Sequence, residues 1–250
     1  MDINAYLERI QYKGSLLPTL GSLRGLQLSH LRSVPFENLS VLAKETIRLQ
    51  ERSLFEKIVL RRRGGFCYEL NGLFAILLSQ LGFSVTMLSA GVAKKDGGFG
   101  PDFDHMTLMV SLEERWLVDV GFGDSFRQPL LMDRRDVQPQ ASRSYQIDEE
   151  GDRLILKERD GDGNWKPQYR FTLQPHALTD YAEMCHFHQT SPESTFTQRR
   201  ICSRATPEGR ITLSEMRLIE TEGDERRERV LPNETEVALA LAKEFGITDI

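Results

Sequence analysis

Hydrophobic residues in the first third of the chain are spaced as in amphipathic helices. The clearest run places leucine and phenylalanine at i, i+3, i+4 and i+7 over residues 70–81, and Gly82 is well placed to end it. Residues 20–31 repeat the spacing and are predicted to end before Pro35. Two shorter helices are expected around residues 6–10 and 54–59, the second capped by Ser53.

After Gly82 the pattern changes to short runs that indicate β-strands. Strands are expected at 84–93, 106–112 and 115–120, and Glu113 and Glu114 form the turn of a hairpin between the last two. Further strands are predicted at 144–147, 154–159, 169–172, 201–203, 210–213 and 216–220. Helices are predicted at 179–188 and 234–245. The sequence therefore predicts helices in the first part of the chain, strands in the middle and a small mixed region at the end.

Composition narrows the class of protein. The 250 residues carry a net charge of −5, whereas a nucleic-acid-binding protein would show a basic face. The longest apolar run, 73–78, is too short to span a bilayer, so no membrane partner is expected. The segment Met1-Asp2-Ile3-Asn4 has neither the basic nor the apolar region of an export signal. A globular, cytoplasmic protein is expected.

The three cysteines are expected to be reduced thiols, because an odd, low count does not make a disulfide framework. Cys185-His186-Phe187-His188, with Cys202 further on, is a poor zinc pattern, since the ligands are adjacent and no second tight pair follows. No metal is therefore expected.

The segment from Arg61 to Asn71 carries the best candidate for chemistry. A two-glycine loop, Gly64-Gly65, runs into the clearest helix, which places Cys67 at or near its first turn. Free amides and the helix dipole stabilise a thiolate there, and a thiolate is the nucleophilic form of cysteine. The alternative is a small apolar residue that packs at a helix start.

A thiolate nucleophile needs a basic partner, and His105 is the best placed of the five histidines because it begins a predicted strand after a glycine-rich loop. Asp119 ends the partner strand. A hairpin register that sets His105 opposite Asp119 would bring both to the same open end. Asp102, Asp104 and Asp124 are the rivals for this third position.

The order and spacing of these residues disfavour two protease classes. His105 follows Cys67 by 38 residues, whereas papain-like enzymes place the histidine much further downstream and caspases place it upstream. A transglutaminase-like order remains open.

Several motifs, in order, resemble those of the arylamine N-acetyltransferases. They cover most of the chain and comprise residues 6–14, 26–39, 63–71 (Arg-Gly-Gly-Phe-Cys-Tyr-Glu-Leu-Asn), 105–108 (His-Met-Thr-Leu), 118–123 (Val-Asp-Val-Gly-Phe-Gly), 190–196 and 206–209. The resemblance implies an α+β fold with an N-terminal helical bundle (1–82), a central β-barrel (83–185) and a C-terminal α/β lid (186–250). It also implies a cysteine-protease-like triad of Cys67, His105 and Asp119.

The same resemblance implies acetyl-CoA as the donor and an arylamine or arylhydrazine as the acceptor. Amides of the loop Gly97, Gly98, Phe99 and Gly100 are candidates for a phosphate of coenzyme A, although a plain hairpin turn explains the glycines equally well. Thr206 lies along the same cleft by resemblance. Phe36, Phe122 and Phe126 are candidates for the acceptor pocket. Glu37 and Arg63 are expected to pair beneath the site.

Three other functions remain open. Relatives of the same fold act as amide synthases that close a macrolactam from a carrier-bound acyl chain. A transglutaminase-like cysteine hydrolase would resolve the acyl-enzyme with water or another amine. A non-catalytic binding protein is disfavoured because Cys67, His105 and Asp119 are all present. The sequence is compatible with a monomer or a homodimer.

Overall fold

The computed structural model describes residues 1–141, 143–161, 163–223 and 225–249, and its first part is helical. The helices are α1 (Ile3–Arg9), α2 (Leu20–Ser33), α3 (Leu39–Leu42), α4 (Glu51–Phe55, continued by a π-helical turn, Glu56–Leu60) and α5 (Cys67–Gln80). The four predicted helices are confirmed. Ser53 lies inside α4, which begins after Gln50, so its prediction as a cap was wrong. Within the described residues no helix has the length and apolarity to cross a membrane.

Helix α5 is buried on nearly all sides. Its apolar residues join a core with α1, α2 and α4 on one face, and α5 packs against the strands β2 (Ser84–Val92) and β3 (His105–Ser111) on the other. A helix enclosed in this way needs apolar residues around its whole circumference, which the sequence 67–80 supplies.

The middle of the chain forms an eight-stranded antiparallel sheet. It also contains β4 (Arg115–Val118), β5 (Leu130–Leu131), β6 (Gln138–Gln140), β7 (Arg143–Glu150), β8 (Arg153–Asp160) and β9 (Lys166–His176), in the order β5-β4-β3-β2-β9-β8-β7-β6. The side chain of Gln138 bridges the two edge strands, because its Oε1 accepts from Leu131 N (2.8 Å) and its Nε2 donates to Leu131 O (3.0 Å). The sheet is therefore nearly closed, like a barrel.

The last part of the chain builds a second, five-stranded sheet. A 3₁₀ turn (Leu178–Tyr181) and two helices, α6 (Ala182–Thr190) and α7 (Thr195–Gln198), lead into β10 (Ile201–Ala205), β11 (Gly209–Ser214), β12 (Arg217–Glu222) and β13 (Glu225–Val230). Helix α8 (Glu234–Ala240) continues as a π-helical turn (Leu241–Phe245) that ends at the left-handed Gly246.

The second sheet begins with a strand from the N-terminal part. Strand β1 (Phe36–Glu37) pairs with β10, so the sheet order is β1-β10-β11-β12-β13. The sequence pattern did not predict β1, β5, β6 or β13. The first three are two or three residues long, and β13 is an exposed strand whose residues 225–229 are all charged, so none shows apolar alternation.

The predicted hairpin between β3 and β4 forms, but in a different register. Leu108 pairs with Val118 and Ser111 with Arg115. This register is shifted by two residues from the one that sets His105 opposite Asp119. The predicted register centres the turn on Leu112, whereas the observed pairing centres it on Glu113, with Leu112, Glu113 and Glu114 forming the connection. A two-residue shift keeps every side chain on the same face of the sheet, so His105 and Asp119 remain diagonal neighbours.

A buried arginine joins the N-terminal elements. Arg9 is 4% exposed and donates from Nη1 to Ser33 O (2.6 Å), from Nε to Ile58 O (2.9 Å), and from Nη2 to the carbonyls of Arg62 (3.1 Å) and Arg63 (3.3 Å). Burial, with a smaller effect of Arg62, lowers the pKa of Arg9 to about 10, so the side chain is charged at pH 7. It holds α1, α2, α4 and the loop before Cys67 together.

We expect Arg9→Met to lower the free energy of unfolding by ~3 kcal/mol, because buried carbonyls lose a charged donor. Urea unfolding followed by circular dichroism measures the change. Arg226→Met, at an exposed position of β13, is the control and should change stability by less than about 0.5 kcal/mol. If the two variants had equal free energies of unfolding, the Arg9 contacts would make no net contribution to stability.

Candidate active site

Cys67 is the first residue of α5, as predicted, and the loop before it has room only for glycine. A Cβ on Gly64 would lie 2.0 Å from Pro35 O, and one on Gly65 would lie 2.6 Å from Oε2 of Glu69. The loop runs beside β1, where Glu37 N donates to Gly65 O (2.9 Å). Gly64 therefore allows the backbone to approach β1, and Gly65 leaves room for the Glu69 side chain in the first turn of α5.

A buried ion pair braces this loop, as expected from the resemblance. Arg63 Nη2 lies 3.1 Å from Oε1 of Glu37, and both side chains are at most 2% exposed. The other carboxylate oxygen of Glu37 accepts from Leu39 N (2.6 Å), and Arg63 Nη1 donates to Asp249 O (3.0 Å). Because each charge has partners, the desolvation of the pair is offset.

The thiol of Cys67 is 3% exposed, and burial raises its pKa well above the usual range. The backbone of Met106 acts in the opposite direction and lowers this pKa. Met106, which follows His105 directly, packs in the same buried apolar cluster as Cys67, so the start of β3 lies near the nucleophile. Gly121 also comes close, because a Cβ there would lie 2.8 Å from Cα of Cys67.

His105 and Asp119 are in direct contact. Nε2 of His105 lies 2.7 Å from Oδ2 of Asp119, and both side chains are at most 3% exposed. Nε2 is thus engaged by the carboxylate, which leaves Nδ1 as the ring nitrogen for a reaction partner. An imidazole held in this way has a fixed tautomer and orientation.

The Asp119 carboxylate accepts hydrogen bonds at both oxygens. Oδ1 accepts from Asn71 Nδ2 (2.9 Å) and Gly121 N (2.8 Å), and Oδ2 accepts from the hydroxyl of Tyr169 (3.1 Å) as well as contacting His105. Burial alone would raise the pKa of Asp119, but His105 and these donors outweigh it and lower the pKa below its usual value.

Asn71 and Tyr169 are contacts that the sequence prediction missed. Asn71 lies one helical turn after Cys67 and also binds Met106 O (2.6 Å) and Val120 N (2.9 Å), so its spacing on α5 was an available signal. Tyr169 reaches the site from β9, 50 residues after Asp119. No local sequence pattern indicates such a contact.

The rival carboxylates have other partners. Asp102 pairs with Arg153 (2.8 Å), and Asp124 pairs with Arg143 and Arg210 (both 2.9 Å). Asp104 accepts from Val92 N (3.2 Å) and faces His188. Of the four candidates, Asp119 is therefore the one in contact with His105.

Two of the three predicted pocket phenylalanines lie near the candidate catalytic residues, Phe122 beside His105 and Phe36 against the apolar cluster that contains Cys67. The ring of Phe122 is 5.1 Å from the His105 ring, edge to face. Phe36, in β1, lies against Phe196 at 6.0 Å. Phe126 is 1% exposed and packs on Tyr145 inside the barrel. A role of all three in acceptor binding stays a prediction.

The glycine-rich loop forms a hairpin turn between Ala93 and Phe99. Two of its amides are used within the turn, because Gly97 N donates to Lys94 O (3.2 Å) and Gly100 N donates to Val92 O (2.7 Å). These two amides are not free for a phosphate. The contacts of Gly98 and Phe99 with coenzyme A stay a prediction.

Thr206 begins a tight turn with Gly209, whose amide donates to the Thr206 hydroxyl (2.9 Å). Arg127 binds the carbonyls of both residues. A cavity of about 240 Å³ beside the turn is lined by Glu208, Glu220, Glu222 and Glu244 together with Arg210 and uncharged residues. Four carboxylates repel a phosphate, so this cavity is a poor subsite for coenzyme A.

Within the residues that the structure describes, no cluster of three or more His, Cys, Asp or Glu side chains is arranged to hold a metal ion. In the Cys185–His188 segment, Cys185 is buried and accepts from Gln189 Nε2 (3.3 Å), while His186 is exposed. The segment does not converge on a common point.

The chain is similar to known proteins over most of its length. Residues 19–248 match the model of an N-acetyltransferase family. The arylamine N-acetyltransferase of Escherichia coli K12 is 33% identical over 98% of this chain and 88% of its own. The proansamycin X synthase of Amycolatopsis mediterranei is 32% identical over 94% of this chain and 93% of its own.

The fold is also shared with a solved structure. The arylamine N-acetyltransferase of Mycobacterium marinum in complex with CoA superimposes with a TM-score of 0.91 at 32% identity, covering 99% of this chain and 93% of that one. The mixed helix and sheet architecture with a nearly closed barrel is thus that of an acyltransferase. This chain belongs to the arylamine N-acetyltransferase family.

The lowered pKa of Asp119 predicts a pH-dependent stability. Because the folded pKa lies below the unfolded value of about 4, the carboxylate stabilises the fold above that pH and loses its effect as pH falls further. At pH 7, Asp119→Asn should lower the free energy of unfolding by ~2 kcal/mol. The difference from the unsubstituted protein should shrink below about pH 4, as measured by urea unfolding. A difference that is constant with pH would contradict the assignment.

Proposed function

We propose that this protein transfers the acetyl group of acetyl-CoA to the nitrogen of an arylamine or arylhydrazine through an acetyl-Cys67 intermediate. The observation that carries the proposal is the buried His105–Asp119 contact, together with a buried Cys67 at the start of α5 that lies against Gly121, the residue whose amide donates to Asp119. Membership of the family supports the substrate class, and the CoA complex of the Mycobacterium marinum relative supports the donor.

In the first half-reaction, His105 Nδ1 takes the proton of the Cys67 thiol. Since burial raises the pKa of that thiol, a thiolate here depends on the imidazolium beside it. Asp119 stabilises the imidazolium through Nε2. The sulfur then attacks the thioester carbonyl, the bond to the coenzyme A sulfur breaks, and the imidazolium returns the proton to the leaving thiolate.

In the second half-reaction, the neutral amine attacks the acetyl-cysteine. An aromatic amine is weakly basic, so it is uncharged at pH 7. His105 Nδ1 accepts the amine proton as the new C–N bond forms, and the proton passes to the Cys67 sulfur as the C–S bond breaks. The order is ping-pong, because coenzyme A leaves before the amine reacts.

Substrate positions follow from the same proposal. Phe122, next to His105, and Phe36, near Gly123, are proposed to line the acceptor site, with Phe126 behind them. Gly98, Phe99 and Thr206 are proposed to lie along the coenzyme A cleft, with Gly97 and Gly100 shaping the turn. The helical part (1–82), the barrel (83–185) and the lid (186–250) are proposed as the three domains, although α6 continues across residue 185.

We expect intact-protein mass spectrometry to detect one acetyl group on Cys67 after brief exposure to acetyl-CoA, and the group to disappear when an aromatic amine is added. Cys67→Ala should lose the adduct and all turnover. Cys185→Ala, which removes another buried thiol, is the matched control and should retain both.

Three other results would change the assignment. An adduct that decays equally fast without amine would indicate a hydrolase. No adduct and no release of coenzyme A would favour a carrier-dependent amide synthase. An adduct in Cys67→Ala would place the nucleophile elsewhere.

Asp119→Asn should lower the rate of Cys67 acetylation by about 10⁴-fold, because the imidazolium loses its counter-charge and its tautomer. Stopped-flow release of coenzyme A measures this rate. Asp102→Asn, which alters a rival carboxylate paired with Arg153, should leave it within about twofold. A near-normal rate in Asp119→Asn would exclude this residue from the mechanism.

A further inference from the structure

A second buried histidine faces the residue before His105. His188, in α6, has a side chain that is 8% exposed, and its Nε2 lies 3.2 Å from Oδ1 of Asp104. Its Nδ1 lies 3.1 Å from the hydroxyl of Ser194. Nε2 makes no hydrogen bond of regular geometry with the described residues, so its contact with Asp104 is an ion pair only when the ring is protonated.

The loop that Asp104 belongs to is strained. Phe103 has φ +66°, in the left-handed region that residues other than glycine seldom adopt. Its amide donates to the Ser89 hydroxyl (2.6 Å), and the Tyr68 hydroxyl donates to the carbonyls of Phe103 (2.6 Å) and Asp104 (3.2 Å). A strained turn persists only where its surroundings hold it, and this turn leads directly into His105.

His188 adds a contact of a different kind. Ser89 lies in β2 and Tyr68 in α5, and their contacts do not depend on pH in the neutral range, because burial raises the pKa of Tyr68 far above it. His188 reaches the loop from α6, and imidazole is the side chain that ordinarily changes charge between pH 5 and 8. The attraction between His188 and Asp104 as opposite charges exists only while the ring is protonated.

The surroundings of His188 leave Asp104 as its anionic neighbour. The rings of Phe196 (5.2 Å), Phe187 (5.4 Å) and Tyr68 (6.1 Å) enclose it, and none is charged in this pH range. The Asp104 charge has a second effect, because after burial it is among the groups that raise the pKa of Cys67. A cation beside Asp104 counters that effect as well.

We propose that His188 is a positioning residue which, when protonated, holds the Asp104 loop and so keeps His105 in place for acyl transfer. Helix α6 thereby makes the rate of acetylation depend on pH. This role rests on the proposed function, since His105 is the group on which His188 acts.

The test compares His188→Gln with the unsubstituted protein by single-turnover release of coenzyme A at about pH 6 and about pH 9. The rate of the variant divided by the rate of the unsubstituted protein at the same pH cancels every pH effect that the two proteins share. We expect the variant to be slower by about fivefold at the lower pH, the factor for ~1 kcal/mol of a partly buried ion pair, and nearly equal at the higher pH.

Two further variants make the test specific. His186→Gln changes the exposed histidine of the same helix and should equal the unsubstituted protein at both pH values. Asp104→Asn removes the partner charge while keeping an oxygen for Val92 N, and adding His188→Gln to it should cause no further loss. The proposal would be overturned if His188→Gln slowed the release of coenzyme A by the same factor at both pH values, or did not slow it at either.

Hydrogen–deuterium exchange separates failure of this role from failure of the proposed function, because it needs no substrate. Residues 103–106 should exchange faster in His188→Gln than in the unsubstituted protein at about pH 6 and equally at about pH 9. Equal exchange at both pH values would overturn the role of His188. If His188→Gln exchanges faster at low pH but the unsubstituted protein releases no coenzyme A, the loop contact is supported and the acetyl transfer is refuted.

Discussion

The buried carboxylate of Asp119 is the charge on which the centre of the molecule depends. An ionised carboxyl group taken out of water is stable only if hydrogen-bond donors surround it. Those donors come from α5 (Asn71), β3 (His105), β9 (Tyr169) and the loop after β4 (Gly121). Four separate parts of the chain must therefore converge on one side chain. The same convergence brings the loop after β4 against the start of α5, where a Cβ on Gly121 would lie 2.8 Å from Cα of Cys67.

A second constraint acts on the backbone before the nucleophile. The glycine loop approaches β1 too closely for any side chain at residue 64. The ion pair between Arg63 in the loop and Glu37 in β1 stabilises this close approach. Because β1 belongs to the second sheet, the start of α5 is tied to that sheet, while its body packs against the first. The position of Cys67 is thus fixed by both sheets.

The parts of this arrangement that could be predicted are those with local signals. Periodicity located α5 and the β3–β4 hairpin, and motif order indicated Cys67, His105 and Asp119. The hairpin register was wrong by two residues, because the turn is centred on Glu113 rather than on Leu112, a one-residue difference that the apolar pattern does not resolve. Tyr169 could not be predicted, since its contact with Asp119 depends on the strand order of the barrel. Asn71 could have been predicted, because it shares a helix face with Cys67.

The charged outer strand β13 bears on how the protein behaves at high concentration. An open sheet edge offers backbone groups to any extended chain, and growth of β-aggregates begins at such edges. Along β13, Arg226 and Arg227 pair with Glu228 and Glu225 on the strand itself. A chain adding here would have to strip water from these ions. In the barrel, the side-chain amide of Gln138 takes the place of a strand between the two edges, so each sheet limits edge-to-edge pairing in a different way.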